Sequence, residues 1–460
     1  MSLHIVRQSV VFVTDRHTLL SAVQSLHGVV WLFDQQHEVV GLCPRQWIQR
    51  SATATVARYC RDRVTGQQTI HERNFTHWID AADALLHSAA DWILPSLDGF
   101  KGGIMGFVGY DVAASHHVNV AHQAQTCGAA LGLYDSFFRL EADGWRLYGP
   151  DEVWDEQAQQ QLIRHIQHAT PPAPSTLISP FVARWTRSQY DHAFAQIQQY
   201  LKAGDCYQVN LTQPFDATWS GAALPLLAPL MTLTRAPFAG YLACDDLEIL
   251  SCSPELFIAF EPAGVVVTRP IKGTAPRLTD PTQDAASKQQ LMDSDKDRSE
   301  NLMIVDLLRN DLSVHAQTGS VRVPTLFEVE SFAQVHHLVS EIRAVLKPDQ
   351  SPLRLLMDAL PGGSITGAPK VRAMQIIAEL EAGPRGAYCG SLGYLNADGT
   401  GRFNILIRTI QRTGHQLQAW VGGGITIASN ADSEYQECLD KISAILDCVN
   451  QWPNTPPHPE

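Results

Sequence analysis

Val265-Val266-Val267-Thr268-Arg269-Pro270-Ile271-Lys272-Gly273-Thr274-Ala275-Pro276-Arg277 reads as a buried β-strand that runs into a glycine turn. Its valines, threonine and isoleucine supply the β-branched surface that packs on a pleated sheet. Alternation along the strand puts Thr268, Pro270, Lys272 and Thr274 on one face. A lysine at that strand end, between Arg269 and Arg277, has its charged form disfavoured by desolvation and by like charge. Such an amine is a candidate nucleophile. The competing reading is a strand-end lysine that extends to water.

Working outward, residues 176–452 alternate strands, glycine turns and amphipathic helices. Residues 1–170 are richer in Gln, His and Ala, with strand-like runs at 10–13, 29–33 and 137–140. Pro171-Pro172-Ala173-Pro174-Ser175 marks the linker, and the proline-rich 453–460 reads as a frayed tail. Strands mixed with long helices give an α/β or α+β class; periodicity alone leaves the topology open.

With 460 residues the chain has room for more than one core. A formal charge of −13 argues against nucleic acid or an anionic membrane as partner, so an anionic substrate needs a local positive site. Nine cysteines with no C-x-x-C pair favour reduced thiols in a cytoplasmic protein over a disulfide framework or zinc site. The chain starts without an apolar signal-peptide core and has no uninterrupted run of membrane-spanning length, so a soluble protein is expected.

Two helices carry carboxylates at helical spacing. Asp297 and Glu300 continue in line with Ile304 and Leu307, and Glu434, Glu437 and Lys441 follow the edge of a stripe made by Cys438, Ile442 and Ile445. Ser433 and Gln436 suit a capping box. Facing each other, the two helices would make an oxygen-rich site for Mg²⁺; apart, they are ordinary solvated faces. The loop from Asp358 to Lys370 is glycine-rich and precedes a helix over 371–381, exposing N–H groups to an anion, but Ala-Pro-Lys replaces the Gly-Lys-Ser/Thr of a phosphate loop. Gly422-Gly423-Gly424 ends an expected strand at 416–421 and offers a backbone nest for a carboxylate. Arg408 lies in a strand-like apolar run and needs an anion, either substrate or an internal salt bridge. Glu255, if desolvated, is a candidate general acid.

Taken together and in order, these segments resemble the chorismate-utilising enzymes, which include anthranilate, aminodeoxychorismate, isochorismate and salicylate synthases. The resemblance is strong over 185–447 and weaker at Gly102-Gly-Ile-Met-Gly-Phe-Val-Gly-Tyr110. It rests on Ala203-Gly-Asp-Cys-Tyr-Gln-Val-Asn-Leu211, Ser253-Pro-Glu-Leu-Phe257, Pro270-Ile-Lys-Gly-Thr274, Glu300-Asn-Leu-Met-Ile-Val-Asp-Leu-Leu-Arg-Asn-Asp311 and Gly367-Ala-Pro-Lys370. Tyr388-Cys-Gly-Ser-Leu-Gly-Tyr394, Arg408-Thr409 and the helix of Glu437 and Lys441 complete it. It implies an anthranilate-synthase-like fold, two large β-sheets packed as a sandwich with helices outside. It also divides the chain into an N-terminal domain at 1–170 and a chorismate-binding domain at 176–452.

Lys272 stands where anthranilate synthases have alanine, and is similar to the aminodeoxychorismate-forming members. Gln208 stands where the water-adding members have a lysine. The resemblance thus implies conversion of chorismate and ammonia to 4-amino-4-deoxychorismate, in p-aminobenzoate and folate synthesis. By it, Glu300 and Glu437 bind Mg²⁺, with Asp297 and Glu434 beside them. Gln208, Gly273, Thr274, Tyr388, Arg408, Gly422, Gly423, Gly424 and Lys441 hold substrate. Lys272 adds to ring C2 while Glu255 protonates the departing C4 hydroxyl, and His337 lies near the ring. The chain has no Gly-x-Cys-x-Gly elbow of a glutaminase, so ammonia is expected from a separate glutaminase subunit in a heterodimer. Trp31-Leu-Phe-Asp-Gln-Gln36 departs from the Leu-Leu-Glu-Ser pattern of feedback-inhibited anthranilate synthases, which argues against control by tryptophan. The alternatives are an anthranilate synthase and an inactive regulatory subunit.

Overall fold

Alternating apolar residues divide the strands between two faces, and this division builds the molecule. In Gly103–Val108, Met105 and Phe107 join one buried cluster while Ile104 and Val108 join another. In Val30–Phe33, Val30 and Leu32 face the same inner cluster, and Trp31 turns outward. The inner cluster draws on both large sheets, so it is the filling of a sandwich. The outer faces are covered by helices: Trp78–His87 and Asp295–His315 lie on one sheet, and Arg187–Ala203, Lys370–Leu380 and Ala431–Asn450 on the other.

This computed structural model describes residues 4–5, 7–12, 15–24, 26, 28–50, 56–61, 68–72, 78–119, 127–168, 174–331, 335–381 and 383–452. Among them are two 12-stranded sheets, antiparallel throughout, and a parallel pair, His4–Ile5 with Trp92–Ile93. The first large sheet runs from Ile271–Pro276 and Val335–Val345 at one edge, through Ser391–Asn396, to Gly103–Val108 and Gln46–Arg50. The second runs from Thr176–Ala183, through Gln208–Ser220 and Gln416–Ile425, to Phe238–Cys244 and Val30–Phe33.

Both sheets therefore cross the expected boundary near 171–175. Ser391 pairs with Val108 in one, and Gly240 with Leu32 in the other. The boundary is a change of sequence texture, and the strands on its two sides hydrogen-bond to each other. Linker residues 171–173 and the tail 453–460 lie outside the described residues, as does Val13 of the expected 10–13 strand. No helix among the described residues is long and apolar enough to cross a membrane.

Two helices frame the region of interest. Asp295–His315 starts on Ser294, whose side chain accepts from the Asp297 N–H, and buries Asn301, Ile304, Val305, Leu308 and Leu312. Asn301 pins it to the first sheet by accepting from Ser340 Oγ at 2.5 Å. Ala431–Asn450 packs against Gln416–Ile425 of the second sheet. Its cap is Asn430, accepting from the N–H groups of Asp432 and Ser433, so the expected Ser433–Gln436 capping box does not form. The helix begins one turn earlier, and Gln436 donates to Asp440 on the surface instead.

Candidate active site

Lys272 reaches its position through a β-bulge. Ile271 pairs with Val339 and Thr274 with His337, so three residue steps on one strand match two on the other. Gly273 sits in the bulge at φ +83°, and a Cβ there would lie 2.8 Å from Leu291 Cδ1 and 2.9 Å from Asp297 Cγ. Only glycine meets both demands. The bulge points Lys272 into a cavity of about 590 Å³.

The simple alternation expected for 265–274 therefore fails. Thr268 ends a separate strand, Val265–Thr268, and the extra residue resets the faces beyond Pro270. The source of electrostatic pressure on Lys272 is corrected as well. Arg269 is engaged by Glu330 and Glu341, and Arg277 by Asp284. Burial is what holds the Lys272 amine below its ordinary range. Glu300 opposes it, and Lys441 is the cation that adds to it.

Glu255 lines the same cavity from the turn between Leu247–Ser253 and Leu256–Glu261. Burial pushes its carboxyl up to about 7, against the pull of Lys272 and of the Ile271 N–H. A half-buried amine biased toward neutral and a buried acid that titrates near neutral pH thus share one space. His337 also lines the cavity, with Nδ1 3.0 Å from Thr274 Oγ1. Burial and the nearby Arg408 push it down to about 4, so its ring is neutral at physiological pH. Arg408 is not in a strand: it occupies a bend at φ +51° between Gly401–Asn404 and Thr409–Thr413. The bend turns its side chain outward, where it lines this cavity and a second of about 570 Å³. It has no acidic partner among the described residues.

The two acidic helices do face each other across the cavity. Asp297 and Glu300 come from one, Glu434, Glu437 and Asp440 from the other. Burial raises Glu300 against Lys272 and Lys296, and Asp297 and Glu434 add to the rise. Glu437 Oε1 lies 2.7 Å from Lys441 Nζ, and against partial desolvation that amine holds Glu437 below the usual carboxylate range. Glu434 is buried and accepts from Ser429 Oγ at 2.7 Å. Among the described residues no three ligating groups form a ready-made metal cage. The donor set is nonetheless all hard oxygen. It suits an ion that takes one or two carboxylates and fills its shell with water and substrate oxygens, as Mg²⁺ does.

The glycine run continues a strand instead of ending one. Gly422, Gly423 and Gly424 pair with Thr212, Leu211 and Asn210, so their backbone forms a flat strand margin and not a nest. Lys441 Nζ donates to Gly422 O at 3.3 Å. Gln208 does not line the cavity. It is fully buried with its amide beneath Gly424, where an added Cβ would meet Gln208 Cδ at 2.8 Å. Tyr388 does line it, stacked near Trp420 with ring centroids 6.2 Å apart.

The loop before Lys370 pairs internally: Gly367 and Ala368 bond to Val209 and Gln208. Lys370 is buried, donating to Asp311 Oδ2 at 2.7 Å and Ala359 O at 2.8 Å, so it meets no anionic ligand. Of this loop only Ser364 and Ile365 reach the cavity. Asn210, Lys296 and Trp420 were not anticipated as lining residues. Asn210 had a signal, a polar side chain within an apolar strand; Trp420 had none.

Residues 39–447 match the family described as chorismate binding enzyme. The chain is 46% identical over 350 residues to aminodeoxychorismate synthase component 1 of Klebsiella aerogenes, covering 75% of this chain and 77% of that one. It is 45% identical over 354 residues to the Escherichia coli protein of the same name, again covering 75% and 77%. Among solved structures it resembles anthranilate synthase component I of Streptococcus pneumoniae, with a TM-score of 0.75 and 26% identity. That match covers 89% of this chain and 92% of the other.

Proposed function

The chain belongs to the chorismate binding enzymes, and from that premise we propose that it aminates chorismate at C4, giving 4-amino-4-deoxychorismate for p-aminobenzoate synthesis. The observation that carries the proposal is Lys272, turned by the Gly273 bulge into the cavity that also holds Glu255. Neutral Lys272 Nζ bonds to ring C2, the ring double bonds shift, and the C4 hydroxyl leaves as water with the Glu255 proton. The adduct nitrogen returns a proton to Glu255. Ammonia then bonds to C4, the double bonds shift back, and the C2–N bond breaks as Glu255 gives its proton to the leaving nitrogen, releasing neutral Lys272; the new C4 ammonium returns a proton to Glu255. Atoms balance as chorismate plus ammonia giving product plus water.

Tethering explains why an amine does the first step: held in place, it competes with water through proximity. At a pKa near 10.4, only about one amine in a few thousand is neutral at pH 7. The burial that depresses Lys272 serves the chemistry directly. Arg408, Tyr388, Thr274 and the Gly422–Gly424 margin face the cavity as the substrate-holding wall, and neutral His337 orients the Thr274 hydroxyl.

The cavity carries more acid than base. Glu255, Asp297, Glu300, Glu434, Glu437 and Asp440 stand against Lys272, Lys296, Arg408 and Lys441. A dianionic substrate therefore needs a cation. Glu300 and Glu437, supported by Asp297 and Glu434, would hold Mg²⁺, and the ion would supply positive charge against a substrate carboxylate. Glu300→Gln is expected to raise the Mg²⁺ concentration at half-maximal rate roughly 10-fold or more. An unchanged metal titration would remove Glu300 from the metal site.

Ammonia comes from a separate glutaminase subunit, and the nine cysteines without a C-x-x-C pair support a reducing, cytoplasmic setting. The test is product analysis with chorismate, Mg²⁺ and ammonium chloride. The expected product is 4-amino-4-deoxychorismate without pyruvate; anthranilate with pyruvate would refute the proposal.

A further inference from the structure

Behind the cavity wall lies a buried ionic pair that the chemistry above does not use. Arg385 and Glu381 form a two-bond fork, Nε to Oε2 at 2.7 Å and Nη2 to Oε1 at 2.7 Å, with side chains 1% and 2% exposed. Neither lines the cavity. The remaining guanidinium donors go to the backbone: Nη1 to Ile365 O at 3.0 Å and Nη2 to Asn210 O at 2.9 Å. Both acceptors belong to cavity-lining residues.

Glu381 Oε1 also takes the Thr212 N–H at 3.0 Å and the Thr212 hydroxyl at 2.6 Å, two residues along the same strand as Asn210. Asn210 Nδ2 donates to Ile365 O at 3.0 Å, closing a triangle with Arg385, and Asn210 Oδ1 has no partner among the described residues. On the far side the guanidinium stacks over Tyr110, 4.6 Å from its centroid, and Asp111 accepts from the N–H groups of Arg385 and Gly386.

A buried ion pair contributes little net stability, since desolvation offsets attraction. What this one does contribute is geometry. Its planar fork ties the strand of Asn210, the loop of Ile365 and the end of helix Lys370–Leu380 to one point. We infer that the Arg385–Glu381 pair is a positioning device that holds Asn210 so that its free Oδ1 accepts a hydrogen bond from a substrate hydroxyl. The inference rests on the cavity being the chorismate site. It makes Asn210 a further substrate-binding residue and Arg385 a positioning residue.

The test measures chorismate Kd by isothermal titration calorimetry with Mg²⁺ present and ammonia absent, alongside steady-state KM and kcat. Arg385→Lys keeps the charge but loses the planar fork; Asn210→Ala leaves the fork intact and removes the free acceptor. Each is expected to raise the chorismate Kd and KM about 10-fold, and the double variant no more than either alone. A merely structural pair predicts otherwise: misfolded enzyme lowers the active fraction, and hence apparent kcat, with Kd and KM unchanged. That result for Arg385→Lys, or an unchanged Kd for Asn210→Ala, overturns the inference. If the wild type binds chorismate but yields another product, the amination proposal falls while the Kd comparison still decides the positioning role.

Discussion

Lys272→Ala is expected to lower ammonium-dependent formation of 4-amino-4-deoxychorismate by roughly 10³-fold, about 4 kcal/mol in the transition state. Deletion removes the tethered nucleophile and leaves ammonia to compete with water unaided. The effect is catalytic and not a failure to fold. Burial disfavours the Lys272 ammonium, so removing it relieves the folded state of a desolvated cation. The melting temperature should hold or rise. Lys272→Arg sharpens the test, because a guanidinium preserves length and charge but cannot become a neutral nucleophile. Both variants should lose steady-state activity with ammonium chloride to about that extent. Activity within a few-fold of wild type in either would exclude a lysine adduct.

Glu255→Gln carries the second large effect, a loss of about 10²–10⁴-fold in kcat, the usual range for a positioned proton donor. The acid must be protonated to act. With its carboxyl pushed up to about 7, wild-type kcat/KM should fall as pH rises through that value, and this alkaline limb should vanish in the variant. Stability also falls as pH rises, and here the substitution is a gain. The folded carboxyl titrates near 7 and the unfolded one near 4.5, so between those values the folded state holds a proton that the unfolded state has released. Wild-type stability is thus lost progressively from pH 4.5 to 7. Glu255→Gln should gain up to about 3 kcal/mol at pH 8 and nothing near pH 4. Urea titrations at the two pH values read the difference, and equal gains at both would refute the buried-acid assignment.

How far these features were legible in the sequence depended on whether the signal was local. The acidic helices were readable because residues three and four apart share a helix face whatever the surroundings; Asp297, Glu300, Glu434 and Glu437 all reach one cavity. Lys272 was readable as a residue type in a context, but the direction of its side chain was not. That direction comes from a bulge, set by pairing with a strand some 65 residues further along the chain. Arg408 was misplaced for a related reason: an apolar run such as Ile405-Leu-Ile suits a strand or a buried bend equally, and a positive φ at arginine leaves no mark in the sequence. The glycine run reads as a strand terminus in the sequence, since glycine weakens strands. Here close packing on Thr212 and Gln208 leaves no room for a Cβ at Gly422 or Gly424, and the ladder continues. Strand pairing across residues 171–175 is wholly non-local, so composition could show a boundary there and nothing about the sheets that cross it.

Intact-mass and peptide mass spectrometry of the enzyme quenched with chorismate and Mg²⁺, ammonia withheld, tests the nucleophile most directly. The peptide containing Lys272 is expected to gain the mass of chorismate less one water, and to lose it again when ammonium is added before the quench. An unmodified Lys272 peptide from enzyme that still turns over chorismate on adding ammonium would contradict it.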